Sequence, residues 1–308
     1  MEMRQAFALE LEKAMNENEN IVVLNADLAK PNGMGNFSEK FPDRAINVGI
    51  AEQNMASIAA GMSSYGLIPF ICSFTPFATR RICDQIAISI CYANQNVKIV
   101  GTDPGISAEY NGGTHMSFED IGVLRSIPNM VIFEPVDNAQ LINIFPQILK
   151  YKGPVYIRMF RKNTPDIFDD NEKFDLFKSK VIKEGTDVSI FCSGLTTNDV
   201  LEADKILQSE NINAEIINIH TIKPIDSEGI LRSIRKTGCA VTVENHNVIG
   251  GLRSAIAEVS ASECPIPIEF IGINDKFGQV GKIPYLKETY HMTSNDIVDA
   301  VHKVLKRK

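Results

Sequence analysis

The stretch INVGIAEQNM, residues 46–55, is the most informative indication of the fold of this 308-residue chain. Its apolar start predicts a short strand and Gly49 predicts a turn. Glu52 follows Ala51, four residues before the small-residue segment ASIAAGMSSYG (56–66), which predicts a tightly packed helix. A carboxylate therefore stands where a strand ends and a helix begins. Ligands bind beyond the carboxyl ends of strands in open α/β sheets, so Glu52 is a candidate functional residue. The alternative is an ordinary first-turn acid that faces the helix dipole.

Strand-like and helix-like segments alternate along the rest of the chain. NIVVLNADL, IPFICSF, VKIVGT and MVIFEP are typical of short strands, and RRICDQIAISICYAN is typical of a helix. This alternation predicts an α/β fold with mostly parallel, helix-covered sheets. A charged, turn-rich segment at 163–185 predicts a linker between two domains, 1–162 and 186–308.

Composition excludes several classes of protein. The chain has 44% hydrophobic and 22% charged residues and a formal net charge of −7, which argues against a nucleic-acid or anionic-membrane partner. No apolar run approaches the roughly 18 residues that a membrane-spanning helix needs. The six cysteines lack metal-ligand spacing, so we expect free thiols in the cytoplasm. No metal-binding loop or glycine-rich phosphate cradle occurs, so we expect no metal ligands in this chain.

Five side chains at predicted strand ends form a candidate site. They are Asp27, Glu52, Phe74, Phe77 and His115. Each has an ordinary structural explanation by itself, as a helix cap, a core aromatic or a satisfied histidine. Their occurrence together, in one domain and at one edge of the predicted sheet, indicates a binding site.

The ordered motifs resemble the transketolase family of thiamine-diphosphate enzymes. VGIAEQNM, ASIAAGMSSYGLIPFICSFTPF and GGTHMSFEDIGVLRSIPNMVIFEPVD carry the resemblance, which continues through GPVYIRMFRK and NIHTIKPID to VENHNVIGGL. It covers nearly the whole chain and implies a pyrimidine-binding domain followed by a transketolase C-terminal domain. The family's diphosphate- and Mg²⁺-binding domain, with its GDG…N motif, has no counterpart here. The resemblance therefore implies the C-terminal subunit of a split transketolase. An N-terminal subunit would supply that site in a heterotetramer with two copies of each chain.

The resemblance also assigns the cofactor-binding residues. Glu52 matches the glutamate that hydrogen-bonds N1′ of the aminopyrimidine and so activates thiamine diphosphate. Phe77 matches the aromatic residue against which the pyrimidine stacks, and Phe74 flanks it. Asp27 and Leu28 match a segment beside the pyrimidine pocket.

Substrate-binding residues follow from the same resemblance. His115 matches a histidine that hydrogen-bonds the substrate and assists proton transfer. Arg4 and Arg161 match arginines that bind the terminal anion of the sugar. The planar guanidinium is suited to this task, because its donors match the geometry of carboxylates and phosphates. Arg158 is a nearby alternative. Asn111 stands where many relatives have an aspartate that recognises a donor hydroxyl.

Further departures from the family pattern surround this core. Arg80 replaces a tyrosine, a phosphate-binding histidine is replaced around Thr102 or Asp103, and a phosphate-binding serine has no clear match near residues 30–32. The catalytic residues are thus kept while the specificity residues differ. We expect transfer of a two-carbon ketol unit from an anionic ketose to an aldose phosphate through a thiamine-diphosphate adduct. The donor would be a sugar phosphate or 6-deoxy-6-sulfofructose.

Three other functions remain open at this stage. The β subunit of a 2-oxo acid dehydrogenase shares the two-domain plan, although the GGTHMSFEDIGVLRSIPNM run favours a transketolase. A deoxyxylulose-phosphate synthase is a weaker alternative, because such enzymes normally keep all domains in one chain. A non-catalytic regulatory paralogue is the third, and it would be expected to have lost Glu52 or the aromatic residues.

Overall fold

A mostly parallel sheet, covered by helices on both faces, forms the first half of the protein. The computed structural model describes all residues, 1–308. The strands of this half are β1 (Ile21–Asn25), β2 (Ala45–Asn47), β3 (Ile68–Phe74), β4 (Lys98–Thr102), β5 (Val131–Phe133) and β6 (Val155–Met159). The helices are α1 (Met3–Glu17), α2 (Phe37–Lys40), α3 (Glu52–Ser64), α4 (Thr75–Ala78), α5 (Asp120–Arg125) and α6 (Asn138–Lys150), with 3₁₀ turns at Arg80–Ile82 and Gly105–Asn111 and a π-helix at Gln85–Tyr92.

The second half repeats the α/β plan with a smaller sheet. Its strands are β7 (Lys180–Lys183), β8 (Val188–Cys192), β9 (Ala214–Asn218), β10 (Thr221–Lys223), β11 (Ala240–Asn247) and β12 (Ile268–Ile273). Its helices are α7 (Thr197–Ser209), α8 (Ser227–Thr237), α9 (Leu252–Glu263), α10 (Ile283–Tyr290) and α11 (Ser294–Leu305), with a 3₁₀ turn at Gly194–Thr196.

Strand order confirms the predicted α/β fold with two mostly parallel sheets. The seven-stranded sheet has the order β10-β5-β6-β4-β3-β1-β2, and the five-stranded sheet has the order β12-β11-β8-β9-β7. Only β10 and β7, each at a sheet edge, run antiparallel to their neighbours. The other strands are rich in buried β-branched residues, as expected for parallel strands covered on both faces.

Two short strands lie where the sequence pattern does not predict them. Strand β7 falls inside the segment 163–185, whose charged, turn-rich composition predicts a linker. As an edge strand of half-buried residues it lacks the apolar run of a central strand. Strand β10 belongs by sequence to the second half, yet it pairs with β5 and extends the first sheet.

Parallel registration brings the ends of four strands together at one edge of the first sheet. Asn25 of β1 is paired with Asn47 of β2, and Phe74 of β3 is paired with Thr102 of β4. Helix α3 packs on β3 through small buried residues, including Ala56 and Ala59, which allow a close approach. This packing places the start of α3 at the same edge.

A buried arginine connects the two halves. Arg158 of β6 is fully buried; its Nε donates to Asp120 Oδ2 at 2.7 Å, and its Nη1 donates to Glu134. Its Nη2 donates to the backbone oxygen of Asn245 on β11 at 2.8 Å. Burial alone would raise the pKa of Asp120, but Arg158 holds that pKa below its ordinary value. The guanidinium thereby satisfies groups from both halves of the chain.

We expect Arg158→Ala to destabilise the protein strongly, because it leaves two buried carboxylates without a counter-charge. Breaking a buried pair in this way costs about 3–5 kcal/mol. Arg235→Ala is a matched control, since Arg235 and Glu263 lie 3.6 Å apart and more than half exposed. An exposed pair contributes at most about 1 kcal/mol. Melting temperatures measured by differential scanning calorimetry should fall far more for Arg158→Ala, and similar values for both variants would contradict this assignment.

Candidate active site

Glu52 is the first residue of α3 and is buried, with 4% of its surface exposed. The chain reaches it through a turn at Gly49, whose φ of +74° favours glycine. Asn47 closes the end of β2, because its Oδ1 accepts from the backbone N–H groups of Gly49 and Asp27, each at 3.0 Å. These local hydrogen bonds hold the carboxylate at the junction between strand and helix.

Arg81 contacts both Glu52 and Phe77. Its Nη1 donates to Glu52 Oε1 at 2.6 Å, and its guanidinium carbon lies 3.8 Å from the centroid of the Phe77 ring. The planar guanidinium of Arg81 therefore lies on the face of the Phe77 ring while it donates a hydrogen bond to the Glu52 carboxylate. Sequence reasoning missed Arg81. Its position four residues after Phe77, a spacing that brings side chains to one face of a helical segment, was the available signal.

Three rings form an aromatic cluster beside this contact. The centroid of His115 lies 5.2 Å from that of Phe77 and 6.1 Å from that of Phe74, in edge-on arrangements. Phe74 and Phe77 are 6.2 Å apart. His115 Nδ1 also lies 2.8 Å from the hydroxyl of Thr114. These contacts orient the imidazole toward the same pocket edge as the two phenylalanines.

The two predicted anion-binding arginines are neighbours at the other side of Phe74. The Arg4 backbone N–H donates to the Arg161 carbonyl at 3.3 Å. The guanidinium carbon of Arg161 lies 5.1 Å from the Phe74 centroid, and its Nη2 lies 2.7 Å from Asp103 Oδ2. The structure thus links Arg4, Arg161, Phe74, His115 and Phe77 in one continuous row.

Other predicted residues lie at the margin of this row. Asn111 is exposed at the end of the 3₁₀ turn that precedes His115. Asp27, with a φ of +62°, lies at the end of β1 against Asn47, and Leu28 is half-buried beside it.

Two other arginines form ion pairs outside this row. Arg80 forms an ion pair with Glu119 at 2.6 Å. Arg158 as an alternative anion ligand is wrong, because its guanidinium is fully buried in ion pairs.

The chain contains neither a cluster of metal-ligand side chains nor a membrane-spanning helix. No group of three His, Cys, Asp or Glu side chains converges as a metal site would require. None of the helices has the length and apolar character needed to traverse a bilayer. The six cysteines are free, and burial raises the pKa of the Cys192 thiol to about 12.

The fold and the site together define a class of protein. A buried carboxylate and aromatic rings at the edge of a parallel sheet, followed by a second α/β domain, are features of the pyrimidine-binding half of thiamine-diphosphate enzymes. The family models agree: the transketolase pyrimidine-binding domain matches residues 1–166, and the transketolase C-terminal domain matches residues 178–297. The chain belongs to the transketolase family, which implies thiamine diphosphate as the cofactor.

Known relatives match almost end to end. The 6-deoxy-6-sulfo-D-fructose transketolase subunit SqwH of Clostridium sp. (strain MSTE9) is 50% identical over 95% of this chain and 91% of its own length. The putative transketolase C-terminal section of Methanocaldococcus jannaschii is 40% identical over 99% and 97%. A solved structure described as a split gene transketolase, inactive β4 tetramer, is 42% identical and has a TM-score of 0.91, covering 100% of this chain and 99% of that one. The predictions of a transketolase and of a split subunit are confirmed.

We expect Arg81→Ala to tighten thiamine-diphosphate binding. The ion pair of the half-exposed Arg81 and its stacking on Phe77 together amount to about 1–2 kcal/mol, and a bound pyrimidine would have to replace both contacts. The dissociation constant should fall roughly tenfold. Titration calorimetry on the Mg²⁺-containing assembly with the N-terminal subunit would measure it.

Arg80→Ala is the matched control for this experiment. Arg80 carries the same charge one residue earlier but pairs with Glu119, so its removal should leave the dissociation constant unchanged. Unchanged or weaker binding in Arg81→Ala would mean that Arg81 stays beside the bound cofactor.

Proposed function

We propose that this chain supplies the pyrimidine-activating half of a transketolase active site. The observation that carries the proposal is Glu52, a buried carboxylate that already binds a flat N–H donor stacked on Phe77. An aminopyrimidine is also flat and hydrogen-bonding, so the carboxylate and the ring fit it. When bound, thiamine diphosphate supplies a carbon nucleophile for ketol transfer.

Each residue of the row has a distinct role in this proposal. Glu52 holds a proton at N1′ of the pyrimidine, and Phe77 supports the ring face while Phe74 flanks it. Asp27 and Leu28 border the pyrimidine pocket. Carboxyl groups can perform this task only where their position is rigid, and burial at the start of α3 provides that rigidity.

The other side of the row binds the sugar. His115 hydrogen-bonds the carbonyl or hydroxyl oxygen at the reacting end and moves a proton there. Asn111 faces a donor hydroxyl, and Arg4 and Arg161 bind the terminal anion through their planar donors. The proposed donor is 6-deoxy-6-sulfo-D-fructose and the acceptor is an aldose phosphate. The 50% identity to a subunit named for that donor supports this choice.

A partner chain completes the proposed site. It is the N-terminal transketolase subunit, which would bind Mg²⁺ and the diphosphate, in a heterotetramer with two copies of each chain. Exposed apolar side chains beside α3 and the π-helix support a partner surface, since large apolar patches on a free surface mark interaction sites. They are Ile50, Tyr65, Ile88 and Tyr92, between 59% and 91% exposed.

Glu52→Gln should nearly abolish ketol transfer while the assembly still forms. The amide keeps the shape of the side chain but cannot exchange a proton with N1′, so kcat should fall about 10²- to 10⁴-fold. Glu39→Gln is a matched control, because Glu39 is also a first-turn acid of a helix but is exposed and is not part of the proposed site. Steady-state kinetics, with the assembly mass checked by light scattering, would test it; near wild-type turnover would overturn the role of Glu52.

The donor is tested by comparing kcat/KM for 6-deoxy-6-sulfofructose, fructose 6-phosphate and xylulose 5-phosphate. The assembly would contain both subunits, Mg²⁺ and thiamine diphosphate, with glyceraldehyde 3-phosphate as acceptor. We expect the sulfosugar to give the highest value. A clear preference for either phosphate sugar would replace the proposed donor with a sugar phosphate, while leaving the transketolase chemistry intact.

A further inference from the structure

Three cations around the proposed anion site already have a carboxylate partner in this chain. Arg4 pairs with Glu2 at 2.6 Å, Arg161 pairs with Asp103 at 2.7 Å, and Lys162 pairs with Glu109. Three positive charges thus face three negative charges, and the exposed Lys30, two residues before Asn32, forms no ion pair. A site of this kind offers directed hydrogen bonds to an anion without a strong excess of positive charge.

Asp103 is the unusual member of this set. It is 2% exposed and follows β4 directly with a φ of +55°, a conformation that aspartate and asparagine adopt more readily than most residues. Arg161 Nη2 lies 2.7 Å from Oδ2, whereas Oδ1 has no side-chain partner. A buried carboxylate is costly unless both oxygens are paired, so an incompletely paired Asp103 contributes little to the stability of the fold.

Buried donors without partners lie beside this carboxylate. Arg161 Nε and Asn32 Nδ2 donate to no group in the chain. Asn32 is 1% exposed, and its Oδ1 accepts from the hydroxyl of Thr102, the residue before Asp103, at 2.7 Å. The carbonyl of Pro31, next along the chain, accepts from Arg4 Nη1 at 3.0 Å. The free N–H groups are therefore close to the Arg4–Arg161 pair and suit the oxygens of a tetrahedral anion.

We propose that Asp103 determines specificity by favouring a monoanionic sulfonate over a dianionic phosphate at the end of the ketose. This inference rests on the proposed function. Both groups present three terminal oxygens, but a phosphate monoester carries about −1.5 to −2 charges at pH 7, whereas a sulfonate carries one. A fixed buried carboxylate opposes the extra negative charge and is poorly screened by salt. At ~6 Å and an effective dielectric constant of about 20, that repulsion corresponds to roughly 100-fold in binding.

Acidic pH should weaken this selection. Burial raises the pKa of Asp103 to about 6; Arg161 and Lys162 oppose the rise, and Glu109 adds to it. The second pKa of a phosphate monoester is also about 6. Below that pH the carboxyl group loses its charge and the phosphate becomes a monoanion. The Arg4–Glu2 pair and the exposed Lys30 are the remaining charged groups around the site. The preference for sulfonate over phosphate should therefore decrease as pH falls from about 8 to about 5.5.

The test compares kcat/KM for 6-deoxy-6-sulfofructose and fructose 6-phosphate in the complete assembly, with wild type and Asp103→Asn. Asparagine keeps the shape and tolerates the positive φ. We expect the sulfosugar-to-phosphosugar ratio to fall at least roughly tenfold, mainly through a lower KM for the phosphosugar, and to lose most of its pH dependence. Asp43→Asn makes the same charge change at an exposed, remote position and should leave the ratio unchanged.

Three outcomes would overturn the inference in different ways. An unchanged ratio in Asp103→Asn, with wild type still preferring the sulfosugar, refutes the role of Asp103 but keeps the donor. Equal losses with both donors mean that Asp103 only positions Arg161. A wild-type preference for the phosphosugar refutes the proposed donor itself. Should Asp103→Asn fail to assemble, the pH dependence of the wild-type ratio decides, since a flat profile contradicts the charge mechanism without any variant.

Discussion

The buried guanidinium of Arg158 is the interaction on which the arrangement of the two domains depends. It neutralises Asp120 and Glu134 in the first domain and binds the Asn245 carbonyl in the second. The Asn245 side chain in turn binds the loop after β4: its Nδ2 donates to Pro104 O, and its Oδ1 accepts from the Ile106 N–H, each at 2.9 Å. That loop runs from Asp103 to His115. The C-terminal domain thus helps to position candidate active-site residues of the pyrimidine-binding domain, although it contributes none of the proposed ligands.

A second arginine–carboxylate pair has the opposite energetic character. Arg158 is fully buried, so losing it leaves charges that water cannot reach. The side chain of Arg81 is 42% exposed, so its pair with Glu52 can exchange for other partners at small cost. The first pair suits a permanent connection between domains. The second suits a site where a ligand must replace the arginine, and it keeps the buried Glu52 carboxylate hydrogen-bonded until then.

Local sequence patterns were enough to predict the fold class and the position of Glu52, because both depend on neighbouring residues. Alternating strands and helices predict parallel sheets, and Gly49 followed by a small-residue helix predicts the strand–helix junction. Strand β10 was beyond such reasoning: it has three residues, and its partner β5 is about 90 residues earlier in the chain. Arg158 was open to misassignment for the same reason, since its partners lie 24, 38 and 87 residues away. Contacts between residues far apart in the sequence produce no local hydrophobic periodicity from which they could be predicted.

The proposed specificity residues were identified partly from the sequence and partly from the structure. Arg4 and Arg161 were expected from the resemblance, but only the structure pairs each with a carboxylate and so removes the excess positive charge. Asp103 follows β4 at once, and its φ of +55° and its contact with Arg161 together fix the direction of the carboxylate. A change at this position can therefore alter the charge facing a substrate without moving the sheet edge that carries Phe74. Under the proposed function, catalysis and head-group recognition are thus separable, because the first would depend on the start of α3 and the second on the residue after β4.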